Sequence, residues 1–234
     1  MFHPSPRIQE QVFPGGRCWV VDGALLEPDA LVQRAAAGRA RFAPAPFNAY
    51  PGLEWHMGPD VAAPLADFFL LHLRQRLGAR RTLGHYSRLS LATLQPHALG
   101  PLQRLCHRDR FGVPSGQCAI ACTLYLFKDP ALGGTSFYSP RQPIEETDSL
   151  MRRWHAMDRD TLTHELGTAP GYITDGNRYF ERVGVVPAAF NRAVFYDGSQ
   201  FHSSHITEPQ RLTDDPTRGR LTLNGFFICR RLAA

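Results

Sequence analysis

Residues 118–127 read Cys-Ala-Ile-Ala-Cys-Thr-Leu-Tyr-Leu-Phe, a short apolar segment of the kind that forms a buried strand. Other segments beyond Gly84 share this short apolar or alternating character, and Gly, Pro or Asp bounds most of them. They are residues 86–94, 135–138, 179–186, 192–196 and 220–229. A succession of many short strands is typical of an antiparallel sandwich or barrel.

The part of the chain before Gly84 has a different pattern. Residues 17–22 predict a short strand, and a helix is expected from Glu27-Pro28-Asp29 to the residue before Gly38. Prolines make residues 43–60 a predicted loop, and residues 64–77 carry apolar side chains at helical spacing. We therefore expect a single domain over residues 1–234 of the α+β or mainly β class.

Within that domain the sequence predicts a helical support region over about residues 1–84 and a strand-rich core over about residues 85–229. A helical insertion at about residues 147–177 interrupts the strands. Thr147 or Asp148 is the expected cap, and a buried stripe is expected from Leu150, Trp154, Met157 and Thr161. The pattern leaves two places open for the insertion: a lid over a site, or a helix packed on the sheets.

Composition narrows the class of protein. Of the 234 residues, 43% are hydrophobic and 20% are charged, which is ordinary for a globular domain. The formal charge is +5, but the arginines are dispersed among acids, so we expect no nucleic-acid partner. Five cysteines without regular spacing indicate reduced thiols. With no apolar run long enough to span a membrane, the expectation is a cytoplasmic protein, monomeric or homodimeric.

The residues that point to chemistry are His107 and Asp109. They are two residues apart, so in an extended segment the imidazole and the carboxylate project to the same face. His202 follows the apolar segment 192–196 and is the expected third ligand, with His205 as the alternative. Two histidines and one carboxylate on one face of a metal leave open positions, which is typical of non-haem iron(II) oxygenases.

Several motifs around these residues occur in the order found in one enzyme superfamily. Between about Tyr86 and Phe227 the sequence resembles the 2-oxoglutarate/iron(II)-dependent dioxygenases, in their prolyl-4-hydroxylase-like branch. The motifs are His107-Arg108-Asp109; Cys-Thr-Leu-Tyr-Leu-Phe at 122–127, followed by Gly-Gly-Thr-Ser-Phe at 133–137; Asn-Arg-Ala-Val-Phe-Tyr at 191–196 with His202; and Gly-Arg-Leu-Thr-Leu-Asn-Gly-Phe-Phe at 219–227.

This resemblance implies a double-stranded β-helix (jelly roll) and two cofactors, Fe(2+) and 2-oxoglutarate. It implies that His107, Asp109 and His202 hold the metal. Arg220 would bind the distal carboxylate of 2-oxoglutarate through its guanidinium fork. Thr222 and Tyr125 would add hydroxyl groups to the same pocket. Arg218 is the alternative anchor, because it shares a face with Arg220 if the strand is straight.

The implied activity is hydroxylation by O2, coupled to decarboxylation of 2-oxoglutarate to succinate and CO2. Asp109 argues against halogenation, because related halogenases lack that carboxylate. The substrate favoured by the sequence is a small molecule or amino-acid derivative. Arg104, Arg108 and Arg110 flank the metal motif and make an anionic group conceivable. The alternatives are a peptidyl or protein hydroxylase, a metal-dependent jelly-roll enzyme that does not use 2-oxoglutarate, and a non-catalytic jelly-roll binding protein.

Overall fold

The computed structural model describes residues 1–44, 50–109 and 113–232. Within these ranges the chain is mainly β, as expected, and its paired strands run antiparallel. The strands are β1 (Arg7–Phe13), β2 (Gly16–Asp22), β3 (Ala43–Pro44), β4 (Gly52–His56), β5 (Ala79–Ala92), β6 (Gln117–Tyr125), β7 (Thr135–Pro140), β8 (Phe180–Val186), β9 (Arg192–Asp197), β10 (Phe201–Ser204) and β11 (Arg220–Arg231). The α-helices are α1 (Pro28–Ala37), α2 (Pro59–Phe68), α3 (Ile144–His155) and α4 (Arg159–Leu166).

The strands form a larger sheet in the order β1-β2-β9-β6-β11-β5-β4-β3 and a smaller sheet in the order β10-β7-β8. β11 lies inside the larger sheet and pairs with β5 on one side and β6 on the other. Alternate side chains of a strand point to opposite faces. Leu221 and Phe227 therefore pack with the helices, whereas Arg220 and Thr222 face the cavity described below.

Two apolar layers hold the sheets in place. In the first, α1 and α2 cover one face of the larger sheet, and the Phe69 ring stacks on Phe227 with centroids 4.1 Å apart. In the second, the two sheets pack together, and Phe13 stacks on Phe137 at 4.6 Å. Each fully buried phenylalanine contributes about 1.5–3 kcal/mol relative to an exposed one, so the two sheets are held as a rigid frame.

The helical insertion packs on the other face of the smaller sheet. Trp154 of α3 and Leu162 of α4 join a cluster with Tyr138, Phe180 and Phe201 of that sheet. Of the two places that the sequence left open for the insertion, the structure therefore shows the second for α3 and α4. The shared cluster also reaches the residue next to the metal motif, because Cys106 is one of its members.

The insertion differs from the sequence prediction in its start and in its content. It contains two helices, and the first begins at Ile144, before the expected caps. Thr147 lies inside α3, where its hydroxyl donates to the carbonyl of Pro143 at 3.1 Å, and Asp148 pairs with Arg108. Thr161 is exposed at the start of α4, and Leu162 takes the buried position. The cap of α4 is Asp158, whose carboxylate accepts from the backbone of Thr161 at 2.9 Å.

The prediction of a helical support region over residues 1–84 is wrong in part, because that region also supplies strands. β1 and β4 were not expected, and β5 begins at Ala79 rather than near residue 86. β1 is rich in polar residues and β4 follows a proline, so neither has a strong local signal. Pairing with β2 and with β5 supplies the missing stabilisation. Among the helices in the described ranges, none combines the length and apolar character needed to cross a bilayer.

Candidate metal centre

Backbone pairing brings the two parts of the metal motif together. His107 forms an isolated antiparallel bridge with His202 of β10, in which each backbone N–H donates to the other residue's carbonyl at 2.9 Å. The N–H of Asp109 donates to the carbonyl of Gly198 at 2.8 Å. Because the ladder fixes both segments, the positions of the three side chains are set by β-pairing and do not depend on a free loop.

The three side chains converge on one point. His202 Nε2 lies 3.2 Å from Asp109 Oδ2, and His107 Nε2 lies 3.6 Å from Asp109 Oδ1. One ligand atom from each residue lies within 4.8 Å of the other two. Metal–ligand bonds of about 2.0–2.2 Å require donor atoms about this close together. The donor set therefore fits a single small divalent cation.

Hydrogen bonding selects the tautomer of one ligand. His202 Nδ1 lies 2.9 Å from the carbonyl oxygen of Gln200. A carbonyl only accepts, so Nδ1 carries a proton, and Nε2 is the ring nitrogen that faces Asp109 and is left to bind a metal. An outer partner of this kind is the usual means of orienting a histidine ligand.

The charges at the site favour a cation. Burial, assisted by neighbouring His202, lowers the pKa of His107 to about 4, so its imidazole is neutral at pH 7. Burial opposes ionisation of Asp109, but the nearby His202 charge and hydrogen bond outweigh it and lower the carboxyl pKa. Burial acts to lower the pKa of His202, and the attraction of Asp109 reverses this and raises it. A metal ion bound at this point would take the place of the proton in the His202–Asp109 hydrogen bond.

A cavity of about 480 Å³, its open mouth included, connects this triad with further polar side chains. The three candidate ligands line it together with Arg220 and Thr222. The cavity also contains side chains that the sequence did not single out: Tyr50, Thr135, Tyr196 and Asn224. A concave site with a few convergent polar groups is the usual form of a small-molecule site.

Arg220 is the most deeply buried charge in this cavity, with 1% of its surface exposed. Its Nε donates to the carbonyl of Leu132 at 3.0 Å and its Nη2 donates to the carbonyl of Gly134 at 2.8 Å. Gly133 has a φ of +82°, and a Cβ there would lie 1.7 Å from the carbonyl oxygen of His205. Only glycine permits that close approach. Across the described ranges, no acidic side chain forms an ion pair with Arg220.

The other two predicted cofactor-binding residues have different positions. Thr222 lines the cavity, and the amide of Asn224 donates to its hydroxyl at 3.1 Å. Tyr125 is not among the lining residues: its phenol lies behind Thr135, 2.8 Å from the Thr135 hydroxyl. Burial raises the pKa of Tyr125 to about 12. Thr135 thus occupies the surface that the sequence had led us to expect of Tyr125.

The structure distinguishes His202 from its alternative His205, and Arg220 from its alternative Arg218. His205 follows the end of β10, and its Nδ1 lies 2.8 Å from the hydroxyl of Ser136, so it is not part of the triad. Arg218 is exposed in the turn before β11, whereas Arg220 is buried on the strand.

Two of the arginines that flank the metal motif, Arg104 and Arg108, do not line the cavity. Arg104 is buried and donates to the Thr163 hydroxyl at 2.7 Å. Arg108 pairs with Asp148 and lies over the Phe201 ring at 4.8 Å. Arg110 lies outside the described residues. Arg104 and Arg108 therefore connect the metal segment to the helical insertion. Neither of them supports the hypothesis that the substrate carries an anionic group.

Tyr50 and Thr135 differ in whether the sequence marked them as residues of the site. Thr135 follows Gly133-Gly134 in a motif already noted, so its place beside Arg220 had a sequence signal. Tyr50 lies in the proline-rich segment predicted as a loop, where no periodicity marks a side chain as inward. The pairing of β4 with β5 places Tyr50, just before β4, at the cavity.

The sequence matches a family of unknown function, DUF6445, over residues 4–227. The chain belongs to this family. None of the curated proteins matches the sequence.

Several solved structures resemble the chain in outline. HygX of Streptomyces hygroscopicus, whose crystal structure holds nickel and 2-oxoglutarate, shares 11% identity, with 91% of this chain and 82% of that chain covered and a TM-score of 0.48. The epimerase SnoN, in complex with Fe3+, α-ketoglutarate and nogalamycin RO, shares 13% identity over 92% and 81%, with a TM-score of 0.48. An N-substituted L-amino acid dioxygenase from Burkholderia ambifaria shares 11% identity over 97% and 95%, with a TM-score of 0.40.

Proposed function

We propose that the protein is a non-haem Fe(II)/2-oxoglutarate-dependent oxygenase that hydroxylates a small molecule or an amino-acid derivative. Its ligands are His107, Asp109 and His202, and its cosubstrate anchor is Arg220. The proposal includes the jelly-roll fold and the prolyl-4-hydroxylase-like branch, because the metal segment, β10 and β11 carry the site residues in the chain order of that superfamily.

The observation that carries the proposal is that the triad and Arg220 line the same cavity. A fully buried guanidinium without a carboxylate partner is costly, since removal of a charge from water costs several kcal/mol. Carbonyl oxygens satisfy part of its donor capacity but carry no charge. A dianionic 2-oxo acid fits both the unpaired guanidinium and the metal triad. One of its carboxylates would pair with Arg220, and its keto acid end would bind the metal.

Each protein group then has a defined task. The bridge between His107 and His202 holds both imidazoles, and Gln200 fixes the His202 tautomer. Asp109 supplies the negative charge that balances the cation. Arg220 orients the cosubstrate, with Thr222 as an additional donor, and Phe127 beneath the guanidinium excludes water. When bound, iron(II) and 2-oxoglutarate supply oxidation by O2, with release of succinate and CO2.

The test is anaerobic addition of iron(II) and 2-oxoglutarate to the purified protein. We expect the weak visible charge-transfer absorption of a metal-bound 2-oxo acid. It should vanish in Asp109→Ala and in His202→Ala, and should remain in His205→Ala, the matched control. Succinate formation in air then reports turnover without a known substrate.

Wild-type protein that binds iron(II) but shows no such absorption would refute the cosubstrate assignment. It would favour the metal-dependent enzyme that does not use 2-oxoglutarate. Failure to bind iron(II) at all would favour the non-catalytic binding protein.

A further inference from the structure

A second arginine lies beside the cavity, on the strand next to β11. Arg88 of β5 is paired in register with Asn224, and its guanidinium lies over the Phe226 ring with Cζ 4.8 Å from the centroid. Both Asn224 and Phe226 line the cavity. Only 15% of the Arg88 side chain is exposed. Arg88 is therefore a partly desolvated cation in direct contact with a residue that lines the cavity.

The donor capacity of Arg88 is only partly used. Its Nε forms an ion pair with Glu54 Oε1 at 2.9 Å, which fixes the direction of the guanidinium. Within the described ranges, neither Nη atom donates a hydrogen bond to the protein. A guanidinium held at Nε by one carboxylate still presents its two terminal nitrogens to a second one, in the fork geometry that suits carboxylates.

An exposed aromatic surface adjoins Arg88. The Tyr86 ring stacks on Phe226 with centroids 4.8 Å apart and an interplanar angle of 17°. Tyr86 is 46% exposed although it lies on the cavity side of the sheet. The His56 ring is 6.1 Å from Tyr86 and extends the same surface. Exposed aromatic rings at the edge of a site offer a planar apolar contact to a ligand.

The triad is accessible to a bound molecule from one side. His107 is the most exposed candidate ligand, with 32% of its side chain accessible against 6% for His202. Arg220 lines the cavity from one end of β11, whereas Arg88 lies on β5 opposite Asn224, four residues further along β11. The two arginines thus mark two separate anion positions.

We propose that Arg88, with the stacked pair Tyr86–Phe226, forms the substrate subsite, and that the substrate is an organic carboxylate with an aromatic or apolar body. The inference rests on the proposed function and deepens it. The carboxylate binds the Nη atoms of Arg88, and the apolar body lies on Tyr86 and Phe226, so that the rest of the substrate extends towards His107, the most accessible of the three candidate ligands. Glu54 is a positioning residue, because its ion pair with Nε fixes the direction of the Arg88 guanidinium.

The test uses matched pairs of probes: phenylacetate, 3-phenylpropionate and N-acetylphenylalanine, each against its own primary amide. Calorimetric titration into the protein, with and without iron(II) and 2-oxoglutarate, measures binding directly. Succinate formation measures coupling. Wild-type protein should bind at least one acid more tightly than its amide by roughly 10- to 100-fold, the range expected for a charge-assisted hydrogen bond.

Variants separate this role from a structural one. Arg88→Met should abolish the preference for acid over amide, and Arg88→Lys should retain part of it because the charge remains. Glu54→Gln should strengthen acid binding several-fold, because it removes the repelling charge while Arg88 stays. A purely structural ion pair would lower the unfolding temperature in all of these variants without changing the preference. Arg81→Met, exposed on the same strand, is the matched control and should behave as wild type.

The proposal is overturned if acids and amides bind equally well, if no probe binds, or if Arg88→Met keeps the wild-type preference. Failure of the proposed function gives a different result: the charge-transfer absorption is absent in wild-type protein, while calorimetry still shows an Arg88-dependent preference for acids. If the absorption is normal in Arg88→Met and the acid preference is lost, both proposals are supported and are shown to depend on different arginines.

Discussion

Replacing Arg220 by methionine removes a buried charge while nearly conserving the length of the side chain. The guanidinium is 1% exposed and donates to main-chain carbonyls of residues 132–134. If a cosubstrate carboxylate binds there, the substitution leaves that carboxylate desolvated and unpaired. The expected consequence is a large loss of affinity for 2-oxoglutarate and a small effect on the metal.

The size of the loss follows from burial. Removing one partner of a buried, hydrogen-bonded charge pair costs about 2–5 kcal/mol. This corresponds to a Kd for 2-oxoglutarate that rises by about 30-fold to several thousand-fold. Arg220→Lys keeps the charge but loses the planar fork, so we expect a smaller loss of roughly tenfold.

The assay is an anaerobic titration of 2-oxoglutarate into the iron(II)-loaded protein, followed by visible absorption. Thermal unfolding gives a second readout, since a ligand at 100 times its Kd stabilises the folded state by about 2.7 kcal/mol. Arg220→Met should lose this stabilisation at ligand concentrations that saturate the wild type, and should still be stabilised by the metal alone.

Arg218→Met is the matched control, because Arg218 is exposed in the turn that precedes β11. It should bind 2-oxoglutarate like the wild type. Equal losses in the two variants, or a wild-type Kd in Arg220→Met, would refute the assignment of Arg220 and the argument from its burial.

Four further outcomes are expected. Manganese(II), as a redox-stable probe, should raise the unfolding temperature of the wild type but not of Asp109→Ala. Gly198→Ala places a Cβ 3.0 Å from that of Asp109 and 3.1 Å from the Ala119 carbonyl, so metal affinity should fall; Gly84→Ala, with open space around it, should retain wild-type affinity. Trp154→Ala empties a fully buried site and should cost about 3–5 kcal/mol in urea unfolding, and a loss below about 1 kcal/mol would contradict its place in the core. Burial raises the pKa of all five cysteine thiols, so they stay protonated at pH 8 and should react with a thiol reagent only after unfolding.

The sequence by itself predicted the features that local patterns encode. Short apolar segments indicated most of the strands of the core, and α1 begins and ends where proline and glycine indicated. The spacing of His107 and Asp109 predicted that their side chains share a face, and the structure shows them together. These predictions succeeded because strand alternation and helix ends depend on neighbouring residues.

The tertiary structure decided between candidate residues that the local sequence patterns could not distinguish. His202 and His205 are the same residue type in one short segment, and only the bridge to His107 separates them. Arg218 and Arg220 are separated by where the turn ends and β11 begins.

β1 and β4 needed their partner strands to be recognised, and Arg88 became a candidate only when β5 was paired with β11. In each case the deciding interaction joins residues far apart in the chain. The stabilisation that it provides therefore cannot be predicted from neighbouring residues in the sequence.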